Sequence, residues 1–312
     1  MGFPFRRPAV RAPLPGSGGP VPGGLSFRRE VWYNQGSKHR KDVTAMLGAL
    51  IGSIAGSIYE WKNIKTKDFP LFRYDSRIAG DAVMTAAVAN AVLLTDDLGD
   101  LDGFKANVAA ELRRMGEAYL GLPYGPRFEK WLLSDDPRPY DSVGNGGAAR
   151  VSPVAWAAES LPQCLALAKA ATEVTHASSE AVAGACCAAG AVYLARTGKD
   201  KDAIRDHVTR YFPLDFTLEQ IRPDYAFDLS CAGSVPQAME AFLEAEDFED
   251  AIRNAISIGG DSDTIAAIAG GIAEAFYGVP VELQSRAKAY LDPRLREICD
   301  RFEAWRNERT KG

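Results

Sequence analysis

The sequence GGDSDTIAAIAGGIA at residues 259–273 joins a dense group of oxygen-bearing side chains to an apolar helical run. Two carboxylates and two hydroxyls follow the glycines in four consecutive residues, Asp261, Ser262, Asp263 and Thr264. Such residues commonly cap the helix that follows, but one cap needs only one of them. Four in a row suit a hard divalent cation, which prefers carboxylate, hydroxyl and water oxygens. The chemistry of the stretch leaves both interpretations open, a helix cap and a metal site.

Helical periodicity continues through most of the chain beyond residue 42. Apolar residues recur at spacings of three and four, which predicts helices at 83–94, 104–120, 152–158, 180–195, 202–211, 234–244, 248–258, 264–277 and 281–290. Strand-like alternation is nearly absent, and no internal linker rich in glycine, serine or proline divides the chain. We therefore predict one compact all-α domain over residues 43–312.

Composition and charge limit the class of protein and its partners. Eight basic and two acidic residues give residues 1–42 a charge of +6, which leaves −11 on the remainder of a chain whose formal net charge is −5. The globular part therefore has no basic surface suited to a nucleic-acid backbone. The five cysteines form no C-x-x-C pair, and no apolar run reaches the roughly 20 residues that a membrane span needs. We expect a cytoplasmic monomer with neither a nucleic-acid nor a membrane partner.

Four segments, in the family's order, resemble the ADP-ribosylglycohydrolase family. The stretch at 259–273 is similar to the family's second metal motif, and GNGGAARVSP at 144–153 is similar to its substrate loop, usually GNGxAMR. MLGALIGSIAGSIYEWKNIKTKDFPLF at 46–72 resembles the amino-terminal helix and loop of small bacterial members, and DLSCAGSVPQA at 228–238 resembles the segment before the second metal motif. The resemblance covers about residues 46–280. It implies a single orthogonal helical bundle that cleaves the glycosidic bond between ADP-ribose and a side chain or small molecule.

The first 42 residues differ from the rest in composition. Residues 1–41 hold six prolines, eight basic residues and many glycines without apolar periodicity. Such a segment buries too little apolar surface to offset its ordering entropy, so we predict that residues 1–42 are disordered. Their arginine content is compatible with a transit peptide. Because the resemblance begins at Met46, we favour an upstream reading from a misplaced start codon over a functional tail.

The resemblance implies a metal centre built from two motifs. The first motif normally reads Thr-Asp-Asp-Thr-Val-Met, whereas residues 79–84 read Ala-Gly-Asp-Ala-Val-Met, so three oxygen ligands are missing. The candidate ligands that remain are Asp81, Asp261, Asp263 and Thr264. They imply one Mg²⁺ (or Mn²⁺) completed by waters, and make a second metal doubtful. The string Thr-Asp-Asp at 95–97 follows a predicted helix instead of preceding it, so we expect an exposed turn there.

Glu60 matches a family position at the metal centre. The resemblance implies that its carboxylate receives a proton from the attacking water or completes the metal coordination. Taken alone, a glutamate at the end of a helical stretch is most often a solvated charge. Ser53 stands where family members usually carry aspartate, which removes a further carboxylate.

The glycines of residues 144–150 predict a site for an anion. Consecutive glycines let backbone N–H groups approach a diphosphate closely, and the helix predicted at 152–158 begins nearby. A tight turn is the alternative, since Asn-Gly and Gly-Gly are ordinary turn residues. The resemblance adds a histidine close to the substrate ribose. The candidate substrate-binding residues are Gly144, Asn145, Gly146, Gly147, Arg150 and His176.

Two functional hypotheses follow from these motifs. The first is a metal-dependent hydrolase that releases ADP-ribose from an ADP-ribosylated protein or small molecule. The second is a catalytically impaired family member that binds ADP-ribose or has a structural role. Ala232 stands where close relatives commonly carry glutamine. This loss and those at Ser53, Ala79, Gly80 and Ala82 fall on metal-proximal motifs while the apolar helices are intact. The sequence does not indicate which linkage or acceptor is cleaved.

Overall fold

The structure, a computed structural model, describes residues 44–309. The first eight helices of the described chain are α1 (Leu47–Gly56), α2 (Gly80–Leu93), α3 (Leu101–Ala118), α4 (Pro126–Leu132), α5 (Gly146–Ala149), α6 (Ser152–Ala157), α7 (Leu161–Glu173) and α8 (Ser179–Arg196). The other seven are α9 (Lys201–Val208), α10 (Leu218–Ile221), α11 (Cys231–Leu243), α12 (Phe248–Ser257), α13 (Ser262–Tyr277), α14 (Val281–Lys288) and α15 (Pro293–Arg309). β-Structure within residues 44–309 consists of two isolated bridges, Tyr140 with His176 and Gly144 with Ser230. The predicted all-α fold is confirmed.

All nine predicted helices are present, with ends shifted by capping contacts. Helix α11 begins three residues before its predicted start, because the Ser230 hydroxyl accepts a hydrogen bond from the Gly233 N–H at 3.0 Å. Helices α4, α5, α7, α10 and α15 were not among the predicted segments, and α1 was expected only from the family resemblance. Helices α4, α5 and α10 are too short to show a helical period, and the few buried apolar residues of α15 lie among many charged ones. The predicted disordered segment 1–42 lies outside the described residues.

Helix α13 forms the centre of the molecule and packs closely against α1. It contacts α1, α8, α11 and α12 and is buried as far as Ala275. Glycines spaced by four residues make the contact with α1 possible: a Cβ at Gly52 would lie 1.9 Å from the Ala266 carbonyl oxygen, and one at Gly56 would lie 2.4 Å from the Asp263 Cα. The end of α1 therefore abuts the start of α13, where the acidic motif lies.

A buried glutamate from α13 caps the other end of α1. Met46 at the N-cap has a positive φ of 68° and makes no side-chain cap. Instead, Glu274 accepts a hydrogen bond from the Gly48 N–H at 2.9 Å, and the Thr44 hydroxyl also bonds to it. The first N–H groups of a helix need such an acceptor when they are buried. Glu274 therefore fixes the position of α1 along α13.

None of the helices in the described part of the chain combines the length and apolar character that a membrane crossing requires.

Candidate metal and substrate site

A cavity of about 440 Å³ opens where three helices begin. Asp81 comes from the first turn of α2, Gly146 from the start of α5, and Asp263 from the first turn of α13. Its size lies within the range of roughly 300–1,000 Å³ that is usual for small-molecule sites. The helix starts direct N–H groups and partial positive charge towards the region that holds the acidic side chains.

Four carboxyl groups gather at one end of this cavity. Glu60, Asp261 and Asp263 each place one carboxylate oxygen within 4.8 Å of the others. Asp81 joins them through Thr264, whose hydroxyl donates a hydrogen bond to the Asp81 Oδ2. The structure therefore brings together Glu60 and all four residues that the sequence predicted as metal ligands, although they come from three separate segments.

Burial and mutual repulsion disfavour the ionised form of these carboxyl groups. Burial, followed by the Asp261 and Asp81 charges, raises the pKa of Glu60 to about 7. Burial and then the Asp261 charge raise the pKa of Asp81 to about 7 as well. The pKa of Asp263 lies well above its ordinary value for the same two reasons. A divalent cation would remove this penalty, and an all-oxygen donor set fits a hard ion. The residues present therefore fit a metal of the kind the family motifs imply.

Two asparagines hold the acidic turn in place. Gly259 and Gly260 have positive φ of 74° and 73°, a conformation that favours glycine. The Asn63 side chain accepts from the Gly260 N–H at 2.8 Å and donates to the Gly260 carbonyl at 2.9 Å. On the other side, Asn145 donates to the Asp261 Oδ2 at 2.7 Å. Asn63 was not predicted, because a lone asparagine in a loop carries no sequence signal for so distant a contact.

Arg150 and His176 form a buried polar pair against the cavity wall. Arg150 donates through Nη2 to the Thr175 hydroxyl at 2.7 Å and to the Ala171 carbonyl at 2.9 Å. The Thr175 hydroxyl lies 2.8 Å from the Nδ1 of His176. Burial, assisted by the Arg150 charge, lowers the pKa of His176 to about 3, so the imidazole is neutral. Burial lowers the pKa of Arg150 to about 10, which keeps its guanidinium charged near neutrality.

The glycines of the predicted substrate loop divide into two groups. Gly144 and Gly146 line the cavity beside His176; a Cβ at Gly144 would lie 3.4 Å from the His176 Nε2. Gly147 is buried behind the wall, where a Cβ would lie 2.5 Å from the Thr172 Cγ2. Residues 146–149 form one turn of helix instead of an open loop. The absence of a side chain at Gly147 therefore serves packing against α7.

Aromatic residues that the sequence did not single out complete the wall. Tyr124, Phe128 and Tyr140 line the cavity, and the Tyr140 ring lies 5.1 Å from that of His176. Tyr124 belongs to the glycine- and proline-rich stretch before α4, which the sequence marked only as a break between helices. Tyr140 reaches the site through its bridge with His176. No local sequence pattern predicts that Tyr124 or Tyr140 lines the cavity.

The residues that replace the missing metal ligands are closely packed against their neighbours. A Cβ at Gly80 would lie 3.0 Å from the Tyr124 ring, and Ala82 is fully buried. Ser53 is also fully buried, and its hydroxyl has no hydrogen-bond partner within residues 44–309. Asp96 and Asp97 are exposed beyond the end of α2, as predicted for that turn. Only Asp81 of the first motif therefore reaches the acidic cluster.

A comparison with known protein families agrees with this arrangement. The sequence profile of the ADP-ribosylglycohydrolase family matches residues 36–311. The chain belongs to the ADP-ribosylglycohydrolase family. The resemblance inferred from the four motifs is thereby confirmed.

Several ADP-ribosylglycohydrolase relatives are similar in sequence or fold. ADP-ribosylhydrolase ARH3 from Xenopus tropicalis is 25% identical over 320 residues, which cover 80% of this chain and 91% of that protein. ADP-ribosylarginine hydrolase Tri1 from Pseudomonas putida (strain GB-1) is 32% identical over 161 residues, 48% of this chain and 42% of that protein. A solved structure described as an ADP-ribosylglycohydrolase-related protein complex has a TM-score of 0.58 at 22% identity, and covers 83% of this chain and 96% of its own. That structure supports the fold.

Proposed function

We propose that this chain hydrolyses the glycosidic bond of ADP-ribosylated proteins or small molecules and releases ADP-ribose. The observation that carries the proposal is the gathering of four carboxyl groups at one end of a cavity whose wall includes the Gly144–Asn145–Gly146 backbone. Membership of a family that includes ADP-ribosylhydrolases supports it. A ligand with a diphosphate and a ribose matches such a cavity. Its diphosphate needs N–H groups that bind an anion, and its ribose needs a cation nearby.

The metal in this proposal is Mg²⁺ or Mn²⁺, held by Asp81, Asp261, Asp263 and Thr264. When bound, the cation would stabilise the charge that changes as the oxocarbenium-like transition state develops. Glu60 lines the cavity, and one of its carboxylate oxygens lies within 4.8 Å of carboxylate oxygens of Asp261 and Asp263. In this position the Glu60 carboxylate can accept a proton from the attacking water.

The chain's other site residues orient the substrate in this proposal. Asn145 fixes the Asp261 carboxylate by its hydrogen bond. Neutral His176 has its Nδ1 engaged with Thr175, which leaves Nε2 for a ribose hydroxyl. Arg150 holds Thr175 and adds a buried positive charge near the anionic substrate. Gly144 and Gly146 keep the wall beside His176 free of side chains.

A second candidate function is ADP-ribose binding without turnover, or a structural role. The small side chains at Ala79, Gly80 and Ala82 favour it, because the first motif supplies one carboxylate where the family pattern supplies more oxygen ligands. A weakened metal site lowers the rate of cleavage before it abolishes ligand binding.

One paired experiment separates the two functions. Calorimetry measures ADP-ribose binding, and a release assay follows arginine- and serine-linked conjugates with Mg²⁺ or Mn²⁺. We expect both binding and release in the wild type, with release lost in Glu60→Gln and unchanged in Glu282→Gln, an exposed control in α14. Binding without release would establish ADP-ribose binding without turnover. The absence of both binding and release would overturn the hydrolase and the ADP-ribose-binding functions and leave the structural role.

Restoring the first motif provides a further check on the second function. If the wild type binds without release, Ala79→Thr, Gly80→Asp and Ala82→Thr together return the missing oxygen ligands to the start of α2. Some turnover is then expected, provided that the Tyr124 ring gives way at position 80, where contact is already tight. The cytoplasmic location, the monomeric state and the absence of a nucleic-acid partner stay predictions.

A further inference from the structure

Two large aromatic side chains are exposed beside the proposed catalytic centre. Trp61 directly follows Glu60 and is 66% exposed, and its ring stacks on Phe227 with a centroid distance of 5.3 Å and an interplanar angle of 25°. Phe227 is 38% exposed and lies two residues before Leu229, which lines the cavity. Exposed apolar surface at the edge of a cleft commonly marks a binding surface.

Trp61 of this aromatic pair lines a second groove. It has a volume of about 400 Å³, and Trp61, Lys62, Arg73, Asp75 and Arg77 contribute to its wall. Arg73 is paired with Asp75 at 3.0 Å. Neither Lys62 nor Arg77 forms an ion pair among residues 44–309, but the Arg77 charge acts on the Glu60 carboxyl group and lowers its pKa. Lys62 is therefore the positive charge of this groove that is independent of the catalytic centre.

The order of residues along the chain connects the two cavities. Glu60 lines the cavity that holds the acidic cluster, and Trp61 lines the second groove. The Trp61 side chain hydrogen-bonds to the Glu60 carboxyl group, so the aromatic pair contacts the residue at which the glycosidic bond would be cleaved. ADP-ribose occupies the first cavity in the proposed function, which leaves this groove free for the acceptor.

We propose that Trp61, Phe227 and the groove beside them form the acceptor subsite, which binds a polypeptide with acidic residues next to the ADP-ribosylated side chain. This inference rests on the proposed hydrolase or ADP-ribose-binding function. The aromatic pair supplies apolar contact to the peptide, and Lys62 and Arg77 attract its carboxylates.

The test compares three substrates of the same linkage. They are an ADP-ribosylated peptide flanked by Asp and Glu, the same peptide flanked by Lys and Arg, and the ADP-ribosyl amino acid alone. We expect the wild type to show the highest kcat/KM on the acidic peptide. Phe227→Ala removes the ring of the pair that does not contact Glu60. It should raise KM for that peptide about tenfold, the effect of losing one aromatic contact of roughly 1.4 kcal/mol, and leave the amino-acid conjugate within about twofold.

Charge reversal and a matched aromatic variant complete the design. Lys62→Glu should lower kcat/KM on the acidic peptide relative to the basic peptide. Tyr74→Ala removes an aromatic side chain that is 94% exposed and lines neither cavity, so it should change none of the three values. Free ADP-ribose binding by calorimetry, and the melting temperature of each variant, establish that the fold and the first cavity are intact.

The outcomes separate this inference from the function on which it rests. A wild type that cleaves all three substrates equally overturns the acceptor subsite and leaves the hydrolase proposal standing. Equal losses on all three substrates in Phe227→Ala would show that the ring acts on the catalytic centre and would also overturn the inference. If the chain binds ADP-ribose without turnover, the dissociation constants of the three conjugates, measured by calorimetry, replace kcat/KM in this comparison. A chain that neither binds nor cleaves any of them overturns both proposals.

Discussion

Asn145 donates a hydrogen bond to Asp261 at 2.7 Å and thereby joins two motifs that lie 116 residues apart in sequence. The same amide nitrogen donates to the Ser234 hydroxyl at 3.0 Å, which ties the start of α11 to this contact. Burial raises the pKa of Asp261, and the hydrogen bond from Asn145 opposes that rise. A residue of the glycine-rich segment therefore helps to set the pKa of a carboxyl group in the acidic turn.

Changing Asn145 to aspartate should destabilise the metal-free protein. Asn145→Asp removes the donor and adds a fifth carboxyl group beside Asp261, so we expect the free energy of unfolding at pH 8 in EDTA to fall by about 3 kcal/mol. Asn145→Ala is the control, since it removes the donor without adding charge and should lose less. Equal losses in urea unfolding would show that repulsion plays no part.

Magnesium should stabilise the protein by binding to the acidic cluster. An ion present at 100 times its dissociation constant adds about 2.7 kcal/mol to the free energy of unfolding. Asp263→Asn should abolish the rise in melting temperature with Mg²⁺. In EDTA the same variant should melt above the wild type, because it removes one of several buried, mutually repelling carboxyl groups.

Asp96→Asn is the matched control for the metal experiment, since Asp96 is exposed in the turn after α2. It should keep the full response to Mg²⁺. An unchanged wild-type melting curve at millimolar Mg²⁺ would refute the metal site.

The close contact between α1 and α13 should not tolerate a single methyl group. Gly52→Ala places a Cβ 1.9 Å from the Ala266 carbonyl oxygen, and the clash is with backbone, which a side-chain rotation cannot relieve. We expect a loss of about 3 kcal/mol or more in the free energy of unfolding. Gly121→Ala, where no atom lies within 4 Å, should change it by less than about 1 kcal/mol. Similar values for the two variants would contradict the packing described here.

Glu274 should make stability fall as pH rises. Burial raises its folded-state pKa from the ordinary 4.5 to about 7. Between these two values the unfolded chain loses the proton while the folded chain keeps it, so stability present below about pH 4.5 is lost as pH rises towards 7. The corresponding change is about 3 kcal/mol.

Glu274→Gln cannot ionise and keeps an acceptor for the Gly48 N–H. Urea unfolding at pH 5 and pH 8 should therefore show a smaller decline in the variant than in the wild type. The acidic cluster contributes equally to both proteins and cancels in the difference. Parallel pH profiles would mean that Glu274 does not carry this dependence.

Removing residues 1–42 should leave thermal stability unchanged, in keeping with the proposed domain boundary. Removing residues 1–45 should lower the melting temperature, because Thr44 bonds to Glu274 and Ala45 is fully buried. The comparison of the two shortened chains by calorimetry tests the boundary to within three residues. A lower melting temperature in the first would place structure in the segment 1–42.

The sequence by itself determined the helical class and the chemistry of the motifs. Apolar spacing of three and four residues is a local property, and it located nine helices that the structure contains. The sequence also predicted that acidic residues lie at the start of α13 and that Asp81 lies at the start of α2. A residue's place at the start of a helix follows directly from its position in the chain. The family motifs added Glu60, Asn145, Arg150 and His176 as candidates.

Only the tertiary structure decided which of these side chains meet and what surrounds them. In the structure Asn145 hydrogen-bonds to Asp261, Asn63 hydrogen-bonds to Gly260, and the Tyr124 ring packs against Gly80. Gly147, which the sequence predicted in the substrate site, packs against Thr172 instead. Each of these contacts joins segments far apart in sequence, and a shift of a few tenths of an ångström decides whether a side chain fits. Close packing of helices fixes such distances, and no local pattern in the sequence records them.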